Sequence, residues 1–258
     1  MPEFPEVKTL INWLNHQNFF GVKINKITFI DDIVLKNSTK KYFISFVFNE
    51  SIEEINQIGK FIILHLSNKK IIAIHLRLEG KIFYLSNNEN SRFPLIEFYL
   101  NNGKKIVYDD SRKFGTINIY NNYQELLNSN EIKKLGKQPF DQRLTANYLF
   151  NCFKNKKQKI KTTLLDQTII AGIGNIYADE TLFLCKISPF RQTNMVSLKE
   201  CQQIIDNCRA IMTKSIKNKG TTVFSYQFAL NHSGSFQKYL NVYGRKNQSC
   251  LRCGSILH

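Results

Sequence analysis

The chain opens Met1-Pro2-Glu3-Phe4-Pro5-Glu6-Val7. Removal of Met1 leaves Pro2 as the N-terminus, a secondary amine followed directly by a carboxylate. α-Amino groups titrate at about 7.7–8.0, so a usable fraction is uncharged at neutral pH, where a lysine amine is mostly protonated. An uncharged amine attacks aldehyde-level carbon and forms an iminium. Glu3 is placed to serve that chemistry as acid or base, with Glu6 three residues further on. The same residues also suit an ordinary helix start. Pro5 fits a first turn, and Glu6 is favourable near the positive end of a helix dipole.

Four other stretches hold residues with chemical potential. Lys60 precedes the apolar run Phe61-Ile62-Ile63-Leu64-His65-Leu66. There its side chain either projects over a sheet edge or lies solvated beside the strand. Leu78 and Glu79 sit between two strands, in His75-Leu76-Arg77-Leu78-Glu79-Gly80-Lys81, and Leu78 also reads as a core leucine. Tyr108-Asp109-Asp110-Ser111-Arg112-Lys113-Phe114-Gly115 places Arg112 and Phe114 in an acid-led turn. Such a pair offers hydrogen bonds and an aromatic face to a base that has lost its partner, or forms a surface hairpin with an Asp–Arg pair. Lys156, Lys157, Lys159 and Lys161 lead into Ala171-Gly172-Ile173-Gly174-Asn175-Ile176-Tyr177-Ala178-Asp179-Glu180. Two glycines that turn amides outward at a helix start make an anion nest, and the lysines upstream point to phosphate. Cys250 and Cys253 form a C-x2-C pair.

The elements that must carry these residues follow from apolar spacing. Val7, Leu10, Ile11 and Leu14 recur at helical spacing and predict a helix over 5–17. Short branched or aromatic runs near 24–35, 42–48, 61–67, 70–76, 81–86, 95–100, 104–108 and 116–120, divided by turn residues, predict strands of an antiparallel sandwich. From about 121 to 219 the pattern becomes helical, with Gly136 and Pro139 marking a linker. Residues 242–258 are expected to begin as a strand. The expected fold is α+β: an N-terminal β-sandwich domain over 1–127 that starts with one helix, a linker at 128–140, a helical domain over 141–241 and a short final unit over 242–258.

The 258 residues carry 36 Lys and Arg against 20 Asp and Glu, a net charge of +16. That excess points to a polyanionic partner, nucleic acid first among them, or to a basic soluble surface. Hydrophobic residues make up 43%, enough for a core. No apolar run reaches the roughly 18–20 residues of a membrane span, and no signal pattern opens the chain, so a cytoplasmic protein is expected. Of six cysteines, Cys152, Cys185, Cys201 and Cys208 fall in helical segments and read as reduced, partly buried residues.

Taken together, the opening, the Lys60 strand, the Leu78 turn, the Arg112 turn and above all the 169–180 string resemble the formamidopyrimidine-DNA glycosylase family. The resemblance implies a monomeric base excision repair enzyme, bacterial in type and nucleoid-associated. Its partner is double-stranded DNA bearing 8-oxoguanine, formamidopyrimidines or abasic sites. It implies Pro2 as nucleophile, Glu3 as proton-transfer group, Glu6 in support and Lys60 at the phosphate beside the lesion. It assigns Leu78, where the family usually has Met, to the gap left by a flipped base, with Phe114. Glu79 then helps to read the base, Arg112 meets the orphaned partner, and Lys161 and Asn175 grip flanking phosphates with Lys157 assisting. The 169–180 string resembles the family's helix-two-turns-helix, and residues 220–237 its lesion-covering loop. Phe224 and Phe93 depart from the family's usual basic, polar or histidine residues.

The resemblance also implies a C-terminal zinc finger with two C-x2-C pairs. Four ligands are the rule for structural zinc. Here Cys250 and Cys253 supply one pair, His258 is a candidate third ligand, and the finger reads as cut short. Two alternatives stay open: an oxidised-pyrimidine glycosylase of the endonuclease VIII type, and a DNA-binding protein whose catalysis is impaired by the incomplete finger.

Overall fold

The computed structural model describes residues 1–222 and 226–257. Helix α1 (Phe4–Leu14) begins at Glu3, with Pro5 in its first turn, and the Glu6 carboxylate reaches back to the Glu3 amide at 3.0 Å. Among the described residues eight strands follow: β1 (Ile24–Phe29), β2 (Ile52–Ile58), β3 (Phe61–Leu66), β4 (Ile71–His75), β5 (Lys81–Ser86), β6 (Pro94–Leu100), β7 (Lys104–Asp109) and β8 (Thr116–Tyr120). They form two four-stranded antiparallel sheets, in the orders β1-β6-β7-β5 and β2-β3-β4-β8. Their inner faces close on Ile62, Ile74, Ile96, Phe98 and Tyr108, and α1 adds Val7, Leu10, Ile11 and Leu14 to that core.

Two strand expectations need correction. Residues 42–48 lie largely within helix α2 (Lys40–Val47). Thr39 caps it by accepting from the Tyr42 amide, and Phe43, Phe46 and Val47 bury at helical spacing. The β-branched and aromatic content mimicked a strand, but a cap and a one-sided apolar stripe decided otherwise. Conversely, β2 was hidden by Glu53, Glu54, Asn56 and Gln57. It pairs with β3 while only Ile52 and Ile55 of the strand are fully buried. The first strand stops at Phe29 rather than running to 35.

The helical part comprises α3 (Tyr123–Asn128), α4 (Ala146–Phe153), α5 (Ile160–Leu164), α6 (Asn175–Cys185) and α7 (Leu198–Lys217). Its core collects Leu149, Phe153, Leu164, Tyr177, Ile204 and Met212. Phe4 belongs to this second core, whereas the rest of α1's apolar face belongs to the first. The start of α1 therefore sits at the seam, and the Phe4 amide donates to the Gly172 carbonyl at 3.0 Å across it.

Residues 242–257 do not begin as a strand. The Glu180 carboxylate, buried on α6, accepts from the amides of Asn241, Val242 and Tyr243 at 2.8–2.9 Å. Amides spent on a carboxylate cannot join a ladder. The tail instead makes turns closed by a single bridge, Ser249 with Ile256.

Candidate functional site

A cavity of about 470 Å³ opens between the sandwich and the helical core. Pro2, Glu3, Glu6, Leu78, Glu79, Arg112 and Asn175 all line it. Seven residues spread over 174 positions of sequence thus meet because α1 starts at the seam. Pro2 is buried, whereas Met1 remains about half exposed.

Glu3 is 2% exposed, and its carboxylate caps α6. It accepts from Gly174 N at 2.7 Å, Ile176 N at 2.9 Å and Tyr177 N at 3.4 Å. A carboxylate suits the positive end of a helix. A Cβ on Gly174 would fall 2.4 Å from the Glu3 carboxyl carbon, so only glycine admits this approach. Burial nevertheless pushes the Glu3 pKa up, and nearby Lys60 and the three amides push back. The result is a carboxyl able to hold a proton beside Pro2.

Glu6 is equally buried. Its Oε1 accepts from the Tyr177 hydroxyl at 2.6 Å and from Thr221 N at 2.8 Å, and its Oε2 from Glu3 N. Burial first, and the Glu3 charge second, push its pKa up to about 7. Lys60, 7% exposed, follows Gly59 in the tight turn between β2 and β3. Gly59 has φ +58° and its amide donates to the Gln138 side chain at 2.9 Å, which pins the turn against the linker. Burial lowers the Lys60 pKa, and the charges of Glu3 and Glu6 oppose that.

The rim of the cavity comes from two turns. Leu78 protrudes from the β4–β5 turn and Phe114 from the β7–β8 turn, both solvent-exposed. The Ser111 hydroxyl donates to the Glu79 carboxylate and joins them. The Arg112 guanidinium lies 4.9 Å from the Phe114 ring centroid. The exposure of Leu78 is out of keeping with a core role. Phe93 is exposed, with Arg92 over its ring at 5.1 Å. Phe224 and His258 lie outside the described residues.

Three groups of expected residues stand apart. Lys157 is exposed before α5. Lys161 pairs with Asp179 at 2.8 Å, one turn along α6 from Asn175, and faces a second cavity of about 630 Å³. Cys250 and Cys253 lie in the tail turn, where the Cys250 amide donates to the Ser255 carbonyl at 2.7 Å. Hydrogen bonds from Ser255 hold the exposed Cys253 thiol below its usual range. Among the described residues no three His, Cys, Asp or Glu side chains gather as a metal site. Of the expected zinc ligands, Cys250 and Cys253 are among the described residues.

Sequence reasoning missed Tyr177, Ser215, Thr221, Tyr226 and Glu180. Tyr177 and Glu180 share α6, and their burial was legible only as an apolar helix. That they face Glu6 and the tail depended on the fold. His75 was also passed over. It is buried under Phe61, and its Nδ1 accepts from Arg77 N at 3.0 Å. Burial, with Arg77 and Lys60 nearby, pushes its pKa down to about 3.

Glu6 and His75 act oppositely on stability. A folded-state pKa raised to about 7 means that Glu6 costs stability at high pH and less as pH falls toward 4.5. His75 stays neutral when folded, while the unfolded chain gains a proton below about 6.5, so acid removes stability. A His75→Asn variant, which keeps an acceptor for Arg77, is expected to lose less stability on acidification. The difference at pH 5 is about 2 kcal/mol. Melting curves of both proteins between pH 7 and 5 check it, and parallel curves would discard the buried-neutral assignment.

Residues 1–117 match the family model of the formamidopyrimidine-DNA glycosylase N-terminal domain, and 135–226 that of the formamidopyrimidine-DNA glycosylase H2TH domain. Formamidopyrimidine-DNA glycosylase of Ureaplasma parvum is 40% identical over 259 residues, covering all of this chain and 94% of that protein. A Lactococcus lactis FPG variant complexed with Fapy-dG-containing DNA superposes with a TM-score of 0.91 at 29% identity, covering 99% of this chain and 93% of that one. The wild-type Lactococcus lactis enzyme with oxidised-pyrimidine DNA gives 0.89 at 28%, covering 99% and 92%. The chain belongs to the formamidopyrimidine-DNA glycosylase family.

Proposed function

We propose that this protein excises oxidised purines from duplex DNA and then cuts the abasic strand, with Pro2 as nucleophile. The observation that carries the reading is the meeting of Pro2, Glu3 and Glu6 on one cavity wall with Leu78 and Arg112 at its mouth. A damaged base turned out of the stack enters the cavity, while Leu78 and Phe114 fill the space it leaves and Arg112 bonds its partner. The Pro2 amine attacks the anomeric carbon, the base departs with the bonding pair, and the proton shed by the attacking nitrogen neutralises the departing base. Glu3, able to hold a proton, delivers it to the ring oxygen as the sugar opens to the iminium. The iminium acidifies the adjacent C–H, so elimination of the strand phosphates follows. Lys60 steadies the phosphate beside the lesion, and Lys157, Lys161 and Asn175 hold its neighbours. Glu79 contacts the base.

The domain division at 1–127, 128–140, 141–241 and 242–258 goes with this reading, as does a cytoplasmic, nucleoid-associated location. No helix among the described residues is long and apolar enough to cross a membrane. Zinc, which the family implies, would be held by Cys250 and Cys253, but the described residues offer no further ligand and none of the steps above needs it. A second reading, action on oxidised pyrimidines, is favoured by the likeness to the Lactococcus lactis enzyme crystallised with such DNA.

Borohydride trapping on 8-oxoguanine, oxidised-pyrimidine and abasic duplexes tests all of these. The expected result is a covalent adduct on the 8-oxoguanine and abasic duplexes, with mass spectrometry placing the DNA on a chain that lacks Met1. A stronger adduct on the pyrimidine duplex favours the second reading. Gel-shifted DNA with no adduct on any duplex leaves only a binding protein.

A further inference from the structure

Glu6 has an unusual set of partners. Two are backbone amides, Glu3 N and Thr221 N, which only donate. The third is the Tyr177 hydroxyl at 2.6 Å, fully buried and itself 2.6 Å from Ser215 Oγ and 3.3 Å from Thr221 Oγ1. A hydroxyl donates one proton and accepts through its oxygen. Toward a carboxylate, Tyr177 donates, and Ser215 can donate to Tyr177 in turn. Toward a carboxylic acid, Tyr177 accepts and turns its own proton to Ser215 or Thr221. Among the described residues it is the one partner of Glu6 that serves both charge states. Unpaired buried polar atoms cost about 1–3 kcal/mol in general, so a switchable partner decides whether Glu6 can change charge in place.

The location gives that switch a consequence. Glu6 Oε2 binds the amide of Glu3, the peptide group joined directly to Pro2. A negative charge there favours the ammonium form of the amine, and a neutral acid favours the free amine. The charged and titratable groups facing Glu6 are Glu3 from the start of α1, Lys60 from the β2–β3 turn, Tyr177 from α6 and Tyr226 beyond α7. The Lys60 ammonium and the Glu3 carboxylate act on it through charge, whereas the Glu3 amide is a hydrogen-bond donor to it. Tyr226 donates to the Glu6 backbone carbonyl at 2.9 Å, not to the carboxylate.

We propose that Tyr177, backed by Ser215, is a positioning residue that sets the charge of Glu6 and through it the fraction of Pro2 present as free amine. This rests on the reading of Pro2 as nucleophile.

In a Tyr177→Phe protein the Glu6 carboxylate loses its shortest donor, so Glu6 takes a proton at higher pH and stays neutral over a wider range. Pro2 then lacks a neighbouring negative charge, and its ammonium form gives way at lower pH. The test is the rate of borohydride-trapped adduct formation on an abasic duplex from pH 5 to 9, each protein normalised to its own plateau. The acid-limb midpoint is expected about half a pH unit lower in Tyr177→Phe. It should move less, in the same direction, in Ser215→Ala, where Tyr177 keeps its hydroxyl. A purely structural role lowers the plateau and leaves the midpoint in place, which would overturn the proposal, as would a shift upward. If Tyr177→Phe does not fold, the Ser215→Ala midpoint decides alone. A parent protein that forms no adduct sinks the Pro2 reading itself, whatever the variants do.

Discussion

A Pro2→Gly protein is expected to lose lesion excision by about 10²–10³-fold and to give little or no trapped adduct. Glycine at this position still ends in an amine, so the loss does not come from removing nitrogen. It comes from removing the ring. Proline's pyrrolidine ring locks rotation about the N–Cα bond and with it the direction of the nitrogen lone pair. Its secondary amine passes directly to a tertiary iminium that cannot shed a further proton to become a neutral imine. A glycine terminus loses both features and adds backbone freedom where the chain enters the cavity. The fold should survive, because Glu3, not residue 2, caps α6 and donates its amide to Glu6. Single-turnover excision of 8-oxoguanine, beside a melting curve, makes the measurement. Excision at the parent rate by Pro2→Gly would falsify the nucleophile assignment.

Glu3→Gln is expected to lower excision by a similar factor, on the order of 10²–10⁴ for loss of a general acid, and to cost stability as well. The two effects have different origins. The carboxylate receives three amides at the start of α6. Glutamine supplies one oxygen, and its amino group faces donors it cannot pair with. That loss amounts to about 1–3 kcal/mol, visible as a melting point lowered by a few degrees. The catalytic loss is separate, because the amide cannot deliver a proton to the sugar. Affinity for an uncleavable abasic analogue should change only a few-fold, since phosphate contacts dominate binding. If Glu3→Gln matched the parent in excision while melting earlier, Glu3 would be a helix cap and nothing more.

Both predictions concern residues visible in the first six positions of the chain. Much of the site was legible in that way, because its chemistry lives in residue types that few other roles require together. A potential N-terminal proline beside a glutamate, an Arg–Lys–Phe turn, and a glycine-flanked helix start behind four lysines each carry a local physical meaning. The first helix, expected over 5–17 and found at Phe4–Leu14, and most strands followed from spacing, since burial of one face imposes a period on the sequence. Where local signals conflicted, the reading failed. Residues 42–48 look like a strand by composition and lie largely in the helix Lys40–Val47, started by its Thr39 cap. Residues 52–58 look polar and are a strand because their partner β3 is apolar on both faces.

Only the tertiary structure decided which of these pieces meet. Glu3 binds amides 171–174 positions away, Glu6 binds Tyr177 and Thr221, and Glu180 takes the amides that sequence assigned to a strand. None of these pairings leaves a periodic trace, because one hydrogen bond between distant residues constrains two positions and no spacing. Charge states followed the same rule. The amino-acid types established that Glu6 and His75 could titrate, but burial and neighbours moved Glu6 up to about 7 and His75 down to about 3. Sequence determined what chemistry was available. The seam between two cores determined which groups share one cavity and how deeply Glu3 and Glu6 are buried.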